Sequence, residues 1–233
     1  MIVTHTNVKI NRFPFVTLML IVINCCVFLK TYTLEINAVQ AQRDQIESIW
    51  NTESSNNGFV TNTSGDQQGN AMEKYEQFYH DYGFSIPDLT ERKHYYALVT
   101  HIFVHGGLMH LAGNMIMLWG FGVAVEEAFG SLKFAFFYML CGFMAALAQG
   151  FMDLSCDIPS VGASGAIAGV MGAFFVLYGA SAVCYWMLTL GFRVFFVPVP
   201  APIFAMMWIG SQVLYLQLDT SFGSVGSDGG GVA

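Results

Sequence analysis

Gly162-Ala163-Ser164-Gly165-Ala166-Ile167-Ala168-Gly169-Val170-Met171-Gly172 opens an apolar stretch that runs to residue 183 without a charged side chain. Small residues recur in it at helical spacing, in the series Ser164-Ala168-Gly172 and Gly165-Gly169, a pattern that lets membrane helices approach closely. Packing accounts for the glycines, but not for a serine set between them in Gly-x-Ser-Gly. The nucleophile elbow of soluble hydrolases needs Gly-x-Ser-x-Gly, and position 166 is Ala166. What is left is a serine at a helix start, where backbone N–H groups have no helical partner. A serine becomes nucleophilic when a base takes its proton, and that base is usually a histidine. All six histidines (His5, His80, His94, His101, His105, His110) precede Ser164.

Working outward, 55% of the 233 residues are hydrophobic and 11% charged, against about 25% charged in an average soluble domain. Ten of the sixteen acidic residues lie between Glu35 and Glu91, so the net charge of -7 belongs to one polar block. No Lys/Arg cluster is present to neutralise phosphates, which argues against a nucleic-acid partner. The five cysteines are an odd number, and Cys25, Cys26, Cys141 and Cys184 fall in or beside apolar runs, where thiols act as small hydrophobes. Five segments approach the roughly 20 residues of a spanning helix: 14–32, 103–125, 132–152, 161–183 and 201–218. The expected fold is an all-α polytopic transmembrane bundle. Residues 1–13 form a short N-terminal segment and 33–100 an outer polar loop, loosely structured to about Gly69 and interfacial where aromatics return from Tyr75 to Tyr96. Lys9, Arg12, Lys133 and Arg193 fall on one side of this topology, and the links at 151–160 and 219–233 carry no Lys or Arg. The positive-inside rule therefore puts the N-terminus in the cytoplasm and the loop outside, in a plasma-membrane-type bilayer. Asn62-Thr63-Ser64 is a glycosylation sequon in that loop.

The second span opens with Thr100-His101-Ile102-Phe103-Val104-His105-Gly106-Gly107-Leu108-Met109-His110-Leu111-Ala112-Gly113-Asn114. Polar groups at the mouth of a membrane helix need partners or water. His110 and Asn114 are four apart and share a helical face, so both can donate hydrogen bonds to one point. Two other readings stand beside this one. The pair can be interhelical polar glue, or His101, His105 and His110 can be a zinc ligand set, although no HExxH arrangement is present.

These residues resemble the rhomboid intramembrane serine proteases. The resemblance runs from about Tyr82-Gly83-Phe84 to Ala233. It rests on His101-x3-His105-x4-His110-x3-Asn114, Val125-Glu126-Glu127-Ala128-Phe129-Gly130, Phe137-Tyr138-Met139-Leu140-Cys141-Gly142 and the glycine-studded run from Gly162 to Gly172. It implies that Ser164 is the nucleophile and that His110, Asn114 and the backbone N–H of Ser164 form the oxyanion hole. His105 would support the site, with Gly162 and Gly165 flanking the serine. Glu126-Glu127 would fix a turn on the cytoplasmic side. The resemblance implies no metal, nucleotide or other cofactor, and substrates that are membrane proteins with unstable transmembrane helices. The family takes its base from a histidine on a sixth helix, in an Ala-His-x-x-Gly context, and no such motif occurs here. The expectation is therefore a chain cut ahead of that helix, with little activity of its own. A natural five-span protein is the alternative. Two other functions remain open, a non-proteolytic rhomboid-like protein that binds client transmembrane segments and a channel using the histidines as an ion path.

Overall fold

The computed structural model describes residues 3–54, 65–152, 158–179, 182–190, 193–208 and 210. The sequon Asn62-Thr63-Ser64, Cys156, most of the fifth expected span and the glycine-rich tail lie outside the described residues. The chain begins with a strand, β1 (Val3–Thr6), and enters α1 (Phe15–Ser54) after Pro14. Then come α2 (Gly65–Tyr82), α3 (Ile86–Thr90) and α4 (Ala97–Thr100), with a 3-10 turn at His101–Phe103. The helical core consists of α5 (Leu108–Met117), a π-helical turn (Leu118–Gly122) and α6 (Val123–Phe129) as one rod, then α7 (Ser131–Met152) and α8 (Ser164–Tyr178). Strands β2 (Val183–Leu190) and β3 (Arg193–Pro200) follow, and residues 201–208 are helical again.

Among the described residues, three helical stretches are long and apolar enough to cross a membrane: Phe15–Asp44, Leu108–Phe129 and Ser131–Phe151. The fold is a polytopic helical membrane bundle, as the sequence predicts, with a small sheet added. Its interior is aromatic. Phe121, Phe134, Tyr138, Phe174 and Phe204 are fully buried, and the Phe121 ring meets Phe174 edge-on with centroids 5.1 Å apart and lies 5.8 Å from Phe204. These contacts fasten the π-helical turn, α8 and the 201–208 helix to each other.

The elements differ from the expected spans in three places. The helix expected to end near residue 32 continues to Ser54, and the block expected to be loosely structured contains the rest of α1, with α2 packed along it. That packing buries Ala38 and Phe78, with Leu34 beside them. Polar composition was misleading here because one narrow stripe of α1 suffices to hold α2. The second span starts at Leu108 and reaches Phe129. The fourth ends as a helix at Tyr178, stopped by Gly179 at φ +62°, a helix-terminating role suited to glycine. From Val183, where the expected span ends, the sequence Val-Cys-Tyr-Trp-Met-Leu-Thr-Leu is rich in β-formers and pairs antiparallel with β3 from Val183↔Pro200 to Leu190↔Arg193. Strand β1 closes the other edge, giving the order β1-β2-β3.

The bundle thus has two unlike ends. At one end lie the sheet, the start of α1 and the α6–α7 turn. There the buried Glu126 carboxylate accepts from Val16 N–H (2.9 Å), Thr17 N–H (2.8 Å), Thr17 Oγ1 (2.7 Å) and Ser131 Oγ (2.6 Å). Glu127 accepts from the Asn11 and Arg12 N–H groups. A carboxylate at a helix N-terminus satisfies orphan donors and suits the helix dipole, so α6 supplies the cap that α1 lacks in its own sequence. At the other end, α2 to α4 cover the mouths of α5 and α8. With 15 residues, α8 is only about 22 Å long. That is shorter than a bilayer core of roughly 30 Å.

Candidate active site

Ser164 is the first residue of α8 and is 9% exposed. Its position follows from the three residues before it. Ser160 pairs with Phe84 through both backbone bonds, Phe84 N–H to Ser160 O at 2.9 Å and Ser160 N–H to Phe84 O at 2.7 Å. The Gly162 N–H then donates to His101 O at 2.9 Å. Gly162 has φ +128°, a conformation other residues adopt only with strain. A Cβ at that position would stand 2.8 Å from His110 Nε2 and 3.7 Å from Asn114 Nδ2. Glycine is thus required twice over, by its backbone angle and because His110 lies where a side chain would be.

The sequence placed His110 and Asn114 on one face of a helix, and the structure aims that face at the turn leading into Ser164. Asn114 Nδ2 and Ser164 Oγ are both buried and lack a hydrogen-bond partner among the described residues, as do both ring nitrogens of the fully buried His105. The His105 ring meets His110 edge-on, with centroids 5.1 Å apart. Buried polar groups are nearly always satisfied. Among the described residues, four of the unpartnered buried atoms thus gather near the Gly162 turn, and two more, Asn24 Oδ1 and the Tyr138 hydroxyl, lie elsewhere in the interior.

His101 stands apart from this set. Its Nδ1–H donates to Ala97 O at 2.9 Å, and its ring lies 6.1 Å from Phe84. Burial lowers its pKa below the ordinary imidazole value, so the ring is held neutral. Among the described residues no group of three His, Cys, Asp or Glu side chains is gathered as a metal site.

The two small-residue series separate. Gly165 and Gly169 face α7, where a Cβ on Gly169 would lie 2.6 Å from Cys141 Cβ and one on Gly165 would run into Ala145. Those glycines serve close helix packing. In the other series Ala168 is exposed and Gly172 has nothing within 4 Å of a Cβ, so the face of α8 below Ser164 is open among the described residues.

Sequence reasoning missed the residues that hold this arrangement in place. The Tyr79 hydroxyl donates to His105 O at 3.4 Å, and burial, reinforced by Tyr75, raises its pKa so that the phenol keeps its proton. Ser160 Oγ donates to Gln149 Oε1 at 3.1 Å, tying the turn to the end of α7. Asp88, buried in the outer layer, accepts from Arg92 Nη1 at 2.6 Å and Ser85 Oγ at 2.7 Å, with His80 Nδ1 at 3.1 Å. Only the Ser85-x-x-Asp88 spacing, a helix-cap signal at the start of α3, was available to suggest any of this.

The Rhomboid domain family model matches residues 92–226, more than half of the chain. The chain belongs to the rhomboid family. It is 36% identical over 85 residues to RHOMBOID-like protein 5 of Arabidopsis thaliana, covering 36% of this chain and 28% of that protein. It is 37% identical over 92 residues to the rhomboid protease GluP of Bacillus subtilis, covering 40% and 18%. It is also 32% identical over 128 residues to Inactive RHOMBOID-like protein 8 of Arabidopsis thaliana, covering 50% and 36%. In each case the match spans well under half the relative's length.

Proposed function

We propose that this chain is an intramembrane serine endopeptidase that cuts peptide bonds in or beside the transmembrane segments of other membrane proteins. Ser164 Oγ attacks the scissile carbonyl carbon, a C–O bond forms and the serine proton passes to a base. His110, Asn114 and the Ser164 backbone N–H donate to the developing oxyanion. The base returns its proton to the leaving amine, and water then releases the acyl group from the serine. His105 supports His110 through the ring contact, and Gly162 and Gly165 let the serine turn sit against both helices. The observation that carries this reading is the pair of buried, unpartnered atoms Ser164 Oγ and Asn114 Nδ2 beside Gly162. Together with the family membership, that juxtaposition favours a reacting site over interhelical polar glue, whose members would be expected to pair with each other.

Among the described residues none bonds Ser164 Oγ. No histidine follows Ser164 in this sequence, so turnover by this chain alone is expected to be slight. The N-terminus and the sheet end, which carry Lys9, Arg12, Lys133 and Arg193, face the cytoplasm, and the serine opens toward the outer face. Unstable helices suit such a site, because a peptide bond must leave helical hydrogen bonding to be attacked.

The test combines fluorophosphonate labelling with cleavage of a model transmembrane substrate. Wild type, Ser164→Ala and a version extended by a helix bearing the family's Ala-His-x-x-Gly histidine are compared. Labelling confined to serine-containing forms and cleavage gained on extension support the reading, while absence of both in the extended form refutes it. A second reading, a non-proteolytic rhomboid that holds client segments, draws on the similarity to a relative named inactive. It requires Ser164→Ala to leave client capture unchanged and the extended form to cleave nothing.

A further inference from the structure

Along α1 a second pattern runs that the serine site does not use. Positions 22, 29 and 36 (Val22, Leu29, Ile36) and 25, 32, 39 and 46 (Cys25, Tyr32, Val39, Ile46) alternate by three and four residues, with Arg43 in the same frame. An apolar repeat of 3.5 residues held over several heptads is the signature of a helix that winds around another helix. From Leu29 outward the stripe lies opposite the face that packs toward α2 through Leu34, whereas Cys25, deeper in the bilayer part, packs against the helical core. It also lies outside the matched family domain.

Lipid accounts for the stripe only where the helix is in the bilayer. About 20 residues cross the core, which takes α1 from Phe15 to the region of Leu34. Beyond that point Ile36, Val39 and Ile46 are still 38%, 49% and 61% exposed, among Glu35, Arg43, Asp44 and Glu47. No element among the described residues covers them.

We propose that this stripe pairs with the same stripe of a second copy of the chain, forming a parallel two-stranded coiled coil that continues from the membrane into the outer layer. Three features select a second copy. Chains sharing one bilayer orientation bring their α1 helices together parallel, so each stripe position meets its own counterpart around a two-fold axis. The flanking positions are then self-compatible. In the outer part, Glu35 of one helix faces Gln40 of the other and Gln42 faces Glu47, so each of these flanking pairs joins a carboxylate to an amide donor, and the one like-charged meeting is Arg43 with its own counterpart. Arg43 is the one charged stripe residue, a polar core position of the kind that fixes register at some loss of stability.

The experiment uses full-length chain in native membranes, with the five cysteines replaced and single cysteines returned at 36, 39 and 46 on the stripe. Asn37→Cys and Asp44→Cys serve as exposed controls away from it. Oxidative cross-linking to a homodimer is expected to be at least about fivefold greater at the stripe positions than at the controls, following the heptad period. The double variant Val39→Glu/Ile46→Glu, altered only at exposed positions, is expected to run as a monomer with its thermal unfolding unchanged. Equal cross-linking at stripe and control positions, no homodimer at any position, or cross-links exclusively to a different protein would each overturn the proposal.

Discussion

At the residue scale, Gly162 has the least freedom to change. Its φ of +128° and the His110 ring 2.8 Å from where a Cβ would stand leave no room even for alanine. Gly162→Ala is expected to carry backbone strain of order 1–3 kcal/mol and to displace His110 from the serine turn. In the form extended by the histidine-bearing helix, fluorophosphonate labelling of Ser164 should fall at least about tenfold, as a shift of roughly 1.4 kcal/mol at the reacting position would cause, while the helical circular dichroism signal stays at the level of the unsubstituted form. Unchanged labelling would show that the His110 contact is irrelevant to the serine.

At the scale of elements, the same residue type does different work on different faces of α8. Gly169 lies against Cys141 of α7, whereas Gly172 meets nothing. Gly169→Leu should destabilise the bundle by about 1–3 kcal/mol through overpacking, and Cys141→Ala should recover part of that loss because the two positions share one contact. Gly172→Ala should be neutral or stabilising by up to about 1 kcal/mol from helix propensity, if nothing outside the described residues covers that face. Thermal unfolding in detergent measures all three. The cap on α1 is a second case. Glu126→Ala leaves the buried donors of Val16, Thr17 and Ser131 without an acceptor, at about 1–3 kcal/mol for each group left unpaired. Glu127→Ala, whose carboxylate takes only surface bonds from Asn11 and Arg12, should cost far less. Equal melting temperatures for the two variants would contradict the capping role.

At the scale of the molecule, the outer layer and the serine turn are one structure. Asp88 gathers Ser85, Arg92 and His80. Ser85 follows Phe84, which pairs with Ser160, and Ser160 leads into Gly162 and Ser164. Asp88→Ala removes the acceptor that fixes α3, so protease cleavage within residues 85–95 should accelerate and Ser164 labelling should weaken without loss of the core. Cleavage at the wild-type rate would mean that Asp88 does not hold the layer.

The helical membrane class and the small-residue face of α8 were legible in the sequence because hydrophobic length and spacing of three and four residues act locally. The placement of His110 and Asn114 on one face was legible for the same reason. The outer layer was misread, since composition reports how polar a segment is and not whether a narrow stripe such as Leu34 and Ala38 finds a partner. The fourth span was read as helix as far as residue 183 because strand and helix both tolerate short apolar runs, and a glycine stop at Gly179 with an available edge on β1 ended it sooner. The sequence by itself determined the helical membrane class and the residue types available at Ser164, His110 and Asn114. Only the tertiary structure decided that these residues meet at Gly162, that Glu126 caps a helix 110 positions away, and that Phe84 and Ser160 align the serine turn. Those are backbone and burial relations between distant segments, and they are made only when the helices pack.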